Sequence, residues 1–204
     1  MQDTGPAARC WCMYWQVGAD YRKRSGKHNR ESFRELTCKA PPLGLLAFDG
    51  DSAVGWCQIT PRDMAPALER NWRLRSVDDV SVWTITCILV RKSHRPRGLT
   101  STLVAEAVRY AREAGAPAVE AYPFDAVASP SATGTGYAST FTNAGFTEIA
   151  RRTPARPIMR LDLDADRHAV TGEQPSSGAA DAATAPPGCS WAGVRFSARS
   201  GRIP

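Results

Sequence analysis

Alternating runs of apolar and polar residues predict the strands of an α/β domain. Two apolar runs flank Asp49-Gly50-Asp51, a turn sequence in which glycine permits a positive φ, so residues 42–60 are predicted to form a hairpin. The longest β-branched run, residues 80–92, is typical of a central strand that is covered on both faces. Residues 9–17, with the aromatic sequence RCWCMYWQV, favour a further strand, which would be the first of the sheet.

The strongest helical pattern begins near Gly98. Apolar residues recur there at helical spacing and make one stripe, which consists of Leu99, Leu103, Val104, Ala107, Val108, Ala111 and Ala114. Arg109 and Glu113 lie off the stripe at the spacing of a surface ion pair, and Gly115 occupies the position of a C-terminal cap. Residues 116–124 then favour a strand. Strand, helix and strand in this order predict a right-handed parallel crossover.

Two shorter helices are expected on either side of this unit. The first covers residues 29–38, with Asn29 as its N-cap. The second covers residues 137–146, follows a flexible loop at 129–136, and is closed by Gly145.

The C-terminal part of the chain changes in character near residue 165. Before it, residues 147–152 and 157–164 favour two antiparallel strands. After it, Ala, Pro, Ser and Gly predominate, which predicts a disordered or loosely docked tail in which only residues 189–196 could dock on the domain. The predicted layout is a flexible N-terminus at 1–8, a domain at 9–164 and a tail at 165–204.

Composition and charge limit the class of protein. The 204 residues are 43% hydrophobic and 23% charged, as in a soluble globular protein, and the formal net charge of +6 favours anionic partners. The N-terminus has no apolar signal region and no apolar run is long enough to span a bilayer, so no membrane partner is expected. The six cysteines lie mostly inside apolar runs, which favours reduced thiols and a cytoplasmic location. No cluster of Cys and His has ligand spacing, so no metal is predicted.

The junction between the central strand and the long helix carries the candidate chemistry. Arg91, Lys92, Arg95 and Arg97 surround the turn that leads from Val90 to Gly98. Helix N-termini expose unpaired N–H groups, and glycine lets a ligand approach the backbone closely. These features predict an anion site suited to a phosphate or pyrophosphate. The junction contains neither Gly-Lys-Ser/Thr nor three spaced glycines, so it matches neither of those nucleotide motifs.

The same residues resemble the signature of the GNAT superfamily of acyl-CoA-dependent N-acyltransferases. The sequence Arg95-Pro96-Arg97-Gly98-Leu99-Thr100 follows a strand that ends in Val90, and Thr100 replaces the usual final Gly or Ala. The similarity continues in NAGF at 143–146 and in PIMRLDL at 157–163, and by order of elements it covers residues 9–163. It implies a single GNAT-like α/β domain with a mixed, mainly antiparallel, splayed sheet that is flanked by helices.

The resemblance also implies a co-substrate and the residues that bind it. Acetyl-CoA, or another short acyl-CoA, would donate its acyl group to an amine. The strand at 87–90 would splay from the strand at 119–122 to admit the thioester, and the N–H of Leu89 would meet the oxyanion. The cofactor-binding residues implied in this way are Leu89, Val90, Arg95, Pro96, Arg97, Gly98, Leu99, Thr100 and Asn143.

The catalytic residues are less closely determined. Many family members carry a tyrosine as general acid at the position of Phe141, so Tyr137, one helical turn earlier, is the substitute. As general base we expect Glu120, a carboxylate within a strand, ahead of Asp125, which follows that strand. The alternative is that Glu120 pairs with an arginine and only stabilises the fold.

Two other functions remain compatible with the sequence. The basic balance permits a transferase of the same fold that uses aminoacyl-tRNA, although nucleic acid is not expected as a partner. Phe141 permits a non-catalytic domain that senses CoA. The acceptor is expected to be a small-molecule or peptide amine, and a homodimer is compatible with the sequence.

Overall fold

The computed structural model of the chain describes residues 7–38, 41–125, 134–163 and 192–196. Their strands form one seven-stranded sheet in the order β5-β6-β4-β3-β2-β1-β7. The strands are β1 (Gly44–Asp49), β2 (Ser52–Pro61), β3 (Trp83–Val90), β4 (Ala118–Ala121), β5 (Thr147–Thr153), β6 (Arg156–Asp162) and β7 (Ala192–Phe196). The pairs β3–β4 and β1–β7 are parallel, and all other neighbours are antiparallel.

Helices cover both faces of the sheet. They are α1 (Ala7–Cys10), α2 (Tyr14–Val17), α3 (Gly26–Thr37), α4 (Ala67–Arg70), α5 (Leu99–Glu113) and α6 (Ala138–Asn143). We name the face with α5 and α6 the back face; there Ile85 and Val119 share a hydrophobic core with these helices. The opposite, front face carries Tyr122, which packs with Trp15 of α2 and Leu68 of α4.

Most of the elements expected from the sequence are confirmed. The hairpin of β1 and β2 turns at Gly50, which has a φ of 56°. The crossover β3–α5–β4 ends in a parallel pair, and β5 pairs antiparallel with β6. In α5 the apolar stripe is buried from Leu99 to Ala111, whereas Ala114 is exposed. Arg109 forms the expected ion pair with Glu113 and a second one with Glu106.

The predicted first strand at 9–17 is wrong. The segment forms α1 and α2, which are separated by Trp11 and Cys12 in left-handed conformations with φ of 48° and 56°. Among its aromatic residues Trp15 is buried and packs against Leu68 of α4 and Tyr122 after β4, whereas Trp11 and Tyr14 are half-buried. The position beside β1 is taken by β7, the part of the predicted docking segment that the structure describes. The domain limits at 8, 164 and 165 stay a prediction, and most of the loop expected at 129–136 lies outside the described residues.

Two local expectations need correction. Ser25, not Asn29, caps α3: the Ser25 Oγ accepts a hydrogen bond from the N–H of His28 at 3.1 Å. Asn29 is buried inside the helix instead and donates to the backbone oxygens of Arg9 and Tyr21. Cys38 is disulfide-bonded, which contradicts reduced thiols at that position. The free cysteines of the described chain are Cys10, Cys12, Cys57 and Cys87.

The start of α5 lies unusually close to the sheet at Gly55 of β2. A Cβ on Gly55 would lie 3.0 Å from Leu103 Cδ1 and 3.2 Å from Ala47 Cβ. Because Gly55 has no side chain, Leu99 and Leu103 can pack directly on the strand. Gly55 is also the partner of Val90, the last residue of β3. This contact fixes the first turn of α5 beside the end of β3.

Within the described residues, no helix has both the length and the apolar character that crossing a membrane requires.

Candidate functional site

The two central parallel strands separate towards their carboxyl ends. Pairing of β3 with β4 begins at Trp83 and ends where Ile85 meets Ala121, although β3 continues to Val90. On its other side β3 stays paired with β2 up to Val90, with an irregularity opposite Gln58. The β4 side of β3 therefore has no strand partner beyond Ile85 among the described residues. This fork is the splay that the resemblance implied.

A stiff turn follows the end of β3. It is a short 3-10 helix over Lys92–Arg97, and it ends at Gly98, whose left-handed φ of 69° favours glycine. Arg95 Nε donates to the backbone oxygen of Val90 at 3.1 Å. His94 Nε2 lies 3.1 Å from Asp49 Oδ2 and connects the turn to the β1–β2 hairpin. The turn is thus anchored on both sides.

The first turn of α5 offers backbone donors beside this anchor. Helical hydrogen bonding begins with the N–H of Thr102, which donates to the oxygen of Gly98 at 3.2 Å, and no side chain caps the helix. The N–H groups of the residues from Leu99 to Ser101 precede that bond and therefore lack helical partners. Together with the positive end of the helix dipole they form an electrostatically favourable place for an anion.

The remaining cofactor-binding residues lie along the same path. In β3, Leu89 is half-buried and Val90 is buried, and Thr100 is half-buried in the first turn of α5. Arg95 and Gly98 are exposed on the turn. Asn143 is exposed at the last residue of α6, and no hydrogen bond within the described chain joins it to the turn.

Glu120 lies at the centre of a buried charged network on the front face. Its Oε1 accepts from Arg160 Nε at 3.2 Å and Nη2 at 2.7 Å. Its Oε2 accepts from Arg62 Nη1 at 3.0 Å and from the Tyr122 hydroxyl at 2.8 Å. A carboxylate has about four lone-pair positions, and all of them are occupied here. Glu120 therefore has no acceptor position left for a substrate proton.

The pKa values of this network favour its charged form. Burial raises the pKa of Tyr122 well above its ordinary value, and the neighbouring Glu120 carboxylate raises it further, so Tyr122 stays a neutral donor. The hydrogen bond to Asp78, together with Glu120, raises the pKa of Arg160 although burial opposes this. The pKa of Arg62 is raised as well, so both arginines stay charged, and both pair with Glu120.

Asp125 and Tyr137 lie near the carboxyl end of β4. Asp125 Oδ2 accepts from Arg151 Nη1 at 2.6 Å, whereas Oδ1 has no hydrogen-bond partner among the described residues. Tyr137 is half-buried, and its backbone forms an isolated bridge with Phe124. Its hydroxyl has no hydrogen-bond partner in the part of the chain that the structure describes. Phe141 is completely buried and packs on Phe146, in the back-face core.

Unpaired polar atoms gather where the fork opens. Gln58 is completely buried and neither atom of its side-chain amide has a hydrogen-bond partner. The buried hydroxyl of Thr86 in β3 also has no hydrogen-bond partner. Thr86 has no opposite residue in β2, because Gln58 lies opposite Cys87 and Ile59 lies opposite Ile85. Buried polar groups are almost always satisfied by protein, water or ligand. These atoms therefore indicate a place where a polar molecule can bind.

The sequence reasoning missed Gln58 and a second group, Arg156. The sequence could have indicated Gln58, because it is a polar residue within the apolar run of β2. Arg156 lies at the start of β6, between the rings of Phe124 and Trp15. These rings come from distant parts of the chain, so no local pattern predicts the contact.

The described residues contain no group of three or more His, Cys, Asp or Glu side chains that could hold a metal ion. The arrangement is thus a turn that leads to the uncapped N-terminus of α5, a fork between parallel strands, and a polar front face beside that fork. It defines an α/β domain in which two central parallel strands separate beside the N-terminus of a helix.

Comparison with known proteins gives this class a family. Residues 11–134 match the acetyltransferase (GNAT) family. This match covers more than half of the chain, and the protein therefore belongs to that family. The name of this family refers to the transfer of an acyl group. No curated protein matches the sequence.

Three solved structures with partial similarity to this chain are described as acetyltransferases. An acetyltransferase assigned to the GNAT family from Desulfovibrio desulfuricans has 17% identity and a TM-score of 0.48, over 80% of this chain and 97% of that one. A second, yncA from Salmonella typhimurium, was solved with acetyl-CoA. It has 14% identity and a TM-score of 0.45, over 84% of this chain and 91% of that one. An acetyltransferase from Bacillus subtilis in complex with CoA has 16% identity and a TM-score of 0.38, over 57% of this chain and 73% of that one.

Proposed function

We propose that the protein transfers an acetyl or other short acyl group from acyl-CoA to an amine. The observation that carries this proposal is the fork between β3 and β4, which leaves one side of β3 unpaired and leads to the uncapped N-terminus of α5. The pyrophosphate of CoA would accept from the amides between Arg95 and Thr100. The pantetheine arm would pair with the free side of β3 at Val90, in place of a strand.

The chemical step would be direct attack of the amine nitrogen on the thioester carbonyl. The C–N bond forms and the C–S bond breaks, and the thiolate of CoA leaves and takes up a proton. The Arg91 N–H donates to the Val54 oxygen of β2, so the N–H of Leu89, two residues earlier, also faces β2, whereas that of Val90 faces the fork. The Val90 N–H, rather than the expected Leu89 N–H, would therefore stabilise the negative charge that develops on the carbonyl oxygen.

The amine must lose a proton before it can attack. An amine with a pKa near 10 is protonated at pH 7, and its deprotonation costs about 4 kcal/mol. We propose Asp125 as the base, because its Oδ1 is open, and we assign Glu120 to positioning, because all its acceptor positions are occupied. Tyr137 is the remaining candidate for protonating the thiolate, a minor contribution because a thiol of pKa about 8.5 leaves readily.

A second candidate function is CoA binding without turnover. The buried Phe141 at the position of the usual acid and the saturated Glu120 both favour it. The acceptor stays open between small-molecule and peptide amines, and a cytoplasmic location and a homodimer stay predictions.

Mass spectrometry of candidate amines incubated with the protein and acetyl-CoA tests the proposal. We expect a mass increase of one acetyl group on at least one amine, with release of an equivalent amount of free thiol. Binding of CoA with no acetylated product from any amine would favour the non-catalytic alternative. Absence of CoA binding would contradict both functions.

A further inference from the structure

Arg156 is a half-buried cation at the outer end of the front face. Its guanidinium carbon lies 4.6 Å from the ring centre of Phe124 and 5.8 Å from that of Trp15. Its Nε donates to the backbone oxygen of Tyr122 at 3.2 Å. The rings and this hydrogen bond fix the plane of the guanidinium without using its two terminal nitrogens.

Arg156 has no carboxylate partner among the described residues. The other buried or half-buried arginines nearby use their terminal nitrogens: Arg62 pairs with Glu120 and Arg160 with Asp78. The half-buried Arg152 donates instead to the backbone oxygens of Trp72, Arg75 and Ser76. The terminal nitrogens of Arg156 make no hydrogen bond within the described chain. Burial lowers the pKa of Arg156 to about 10, and the nearby Tyr14 and Tyr122 offset this only in part. The protein thus maintains a desolvated cation whose best hydrogen-bond donors are unused.

Arg156 lies next to the point where β4 separates from β3. Tyr122, which accepts the Nε hydrogen bond, directly follows Ala121, the last residue of β4 that pairs with β3. Arg156 therefore lies on the β4 branch of the fork, whereas the anion-binding turn lies at the end of the β3 branch. A molecule bound between Arg156 and the fork would approach the thioester from the side opposite to the phosphates.

We propose that Arg156 binds a carboxylate of the acceptor, so that the acceptor is an amine that carries a carboxylate, as an amino acid does. This inference rests on the proposed acyl transfer. A planar guanidinium with two free terminal nitrogens matches a carboxylate through paired hydrogen bonds. Trp15 and Phe124 shield these bonds from water, which strengthens them. The amine of such an acceptor then faces β3, where the thioester is proposed to lie.

Matched amine pairs test the proposal on the unaltered protein. The probes are phenylalanine and phenethylamine, methionine and 3-(methylthio)propylamine, and lysine and 1,5-diaminopentane. Binding of each probe is measured by calorimetry with and without saturating CoA, and turnover by thiol release from acetyl-CoA. We expect the carboxylated member of at least one pair to bind at least about 10-fold more tightly, as charge-assisted hydrogen bonds do.

The outcomes separate this inference from the proposed function. If the carboxylated member binds no better than its partner in every pair, or if no probe binds, Arg156 is not a carboxylate site, whatever the result with CoA. If carboxylated amines bind preferentially but CoA does not bind, the inference about Arg156 stands and acyl transfer from CoA fails.

Variants locate the effect at Arg156. We expect Arg156→Gln to raise the KM of a preferred carboxylated amine about 10- to 100-fold and to leave the decarboxylated partner unchanged. Arg156→Lys retains the charge without the planar pair of donors and should lie in between. The control Arg73→Gln removes the same charge from an exposed arginine and should change neither value. An equal loss for both members of a pair would contradict the proposal, and unchanged CoA affinity checks folding. If Arg156→Gln does not fold, the wild-type pairs decide.

Discussion

Arg160 and Arg156 lie on the same face of the sheet, four residues apart in strand β6, and they have no contact partner in common. Arg160 binds Glu120 and Asp78 through its side-chain nitrogens. Arg156 lies against two aromatic rings and donates only to a backbone oxygen. The first arginine is saturated by carboxylates of the chain itself, and the second is not.

The difference separates residues that stabilise the fold from residues that are free to bind a ligand. Removing one member of a buried ion pair leaves the other charge uncompensated, so Arg160 is costly to change. Arg156 has no such partner to leave behind. The same contrast holds for the carboxylates, because Glu120 is saturated and Asp125 has one open oxygen.

The largest expected effect on stability is that of Glu120→Leu. The substitution leaves Arg62 and Arg160 buried beside an apolar side chain, so we expect a loss of about 3–5 kcal/mol in the free energy of unfolding. Urea denaturation measures it. The control Glu148→Leu removes an exposed carboxylate paired with Arg151 and should cost less than about 1 kcal/mol. Equal losses in the two variants would show that the buried network is not what stabilises this face.

A direct form of the comparison replaces each arginine of β6 by methionine. We expect Arg160→Met to cost about 3 kcal/mol, because Glu120 loses two of its donors. Arg156→Met should cost about 1 kcal/mol or less, because it removes one hydrogen bond and two ring contacts and leaves no unpaired charge. Denaturation curves of the two variants side by side check this order. A larger loss for Arg156→Met would mean that Arg156 is structural.

The comparison of the carboxylates leads to Asp125→Asn. As Asp125 is the proposed base, we expect turnover to fall about 100-fold at saturating substrate. The free energy of unfolding should change by less than about 1 kcal/mol, because the ion pair with Arg151 is exposed. Thiol release and urea denaturation give the two values. Unchanged turnover would remove Asp125 from the mechanism.

The sequence predicted those parts of the molecule that depend on local patterns. The stripe of α5, the glycine at its start and the β-branched run of β3 each imply their structure within a short window, and the turn between β3 and α5 follows from their order. The segment at 9–17 shows the limit of such patterns. Its aromatic residues indicate burial, but whether helix or strand buries them depends on α4 and on Tyr122, which are far away in sequence.

The front face could not be predicted for the same reason. Glu120 stands out as a carboxylate within a strand, yet its saturation depends on Arg62, Tyr122 and Arg160, which β2, β4 and β6 bring together. Arg156 shows no local signal, since an arginine at the start of a strand is common. Only the fold shows that this half-buried arginine has terminal nitrogens without a hydrogen-bond partner among the described residues.

The central claim is that the backbone amides behind the end of β3 bind the pyrophosphate of CoA. Calorimetric titration of the wild-type protein with CoA and with pantetheine, which shares the thiol arm but lacks the phosphates, tests this claim most directly. The account predicts that CoA binds at least about 100-fold more tightly than pantetheine, because several charge-assisted hydrogen bonds are lost. Equal affinities for the two molecules, or no uptake of CoA, would contradict it.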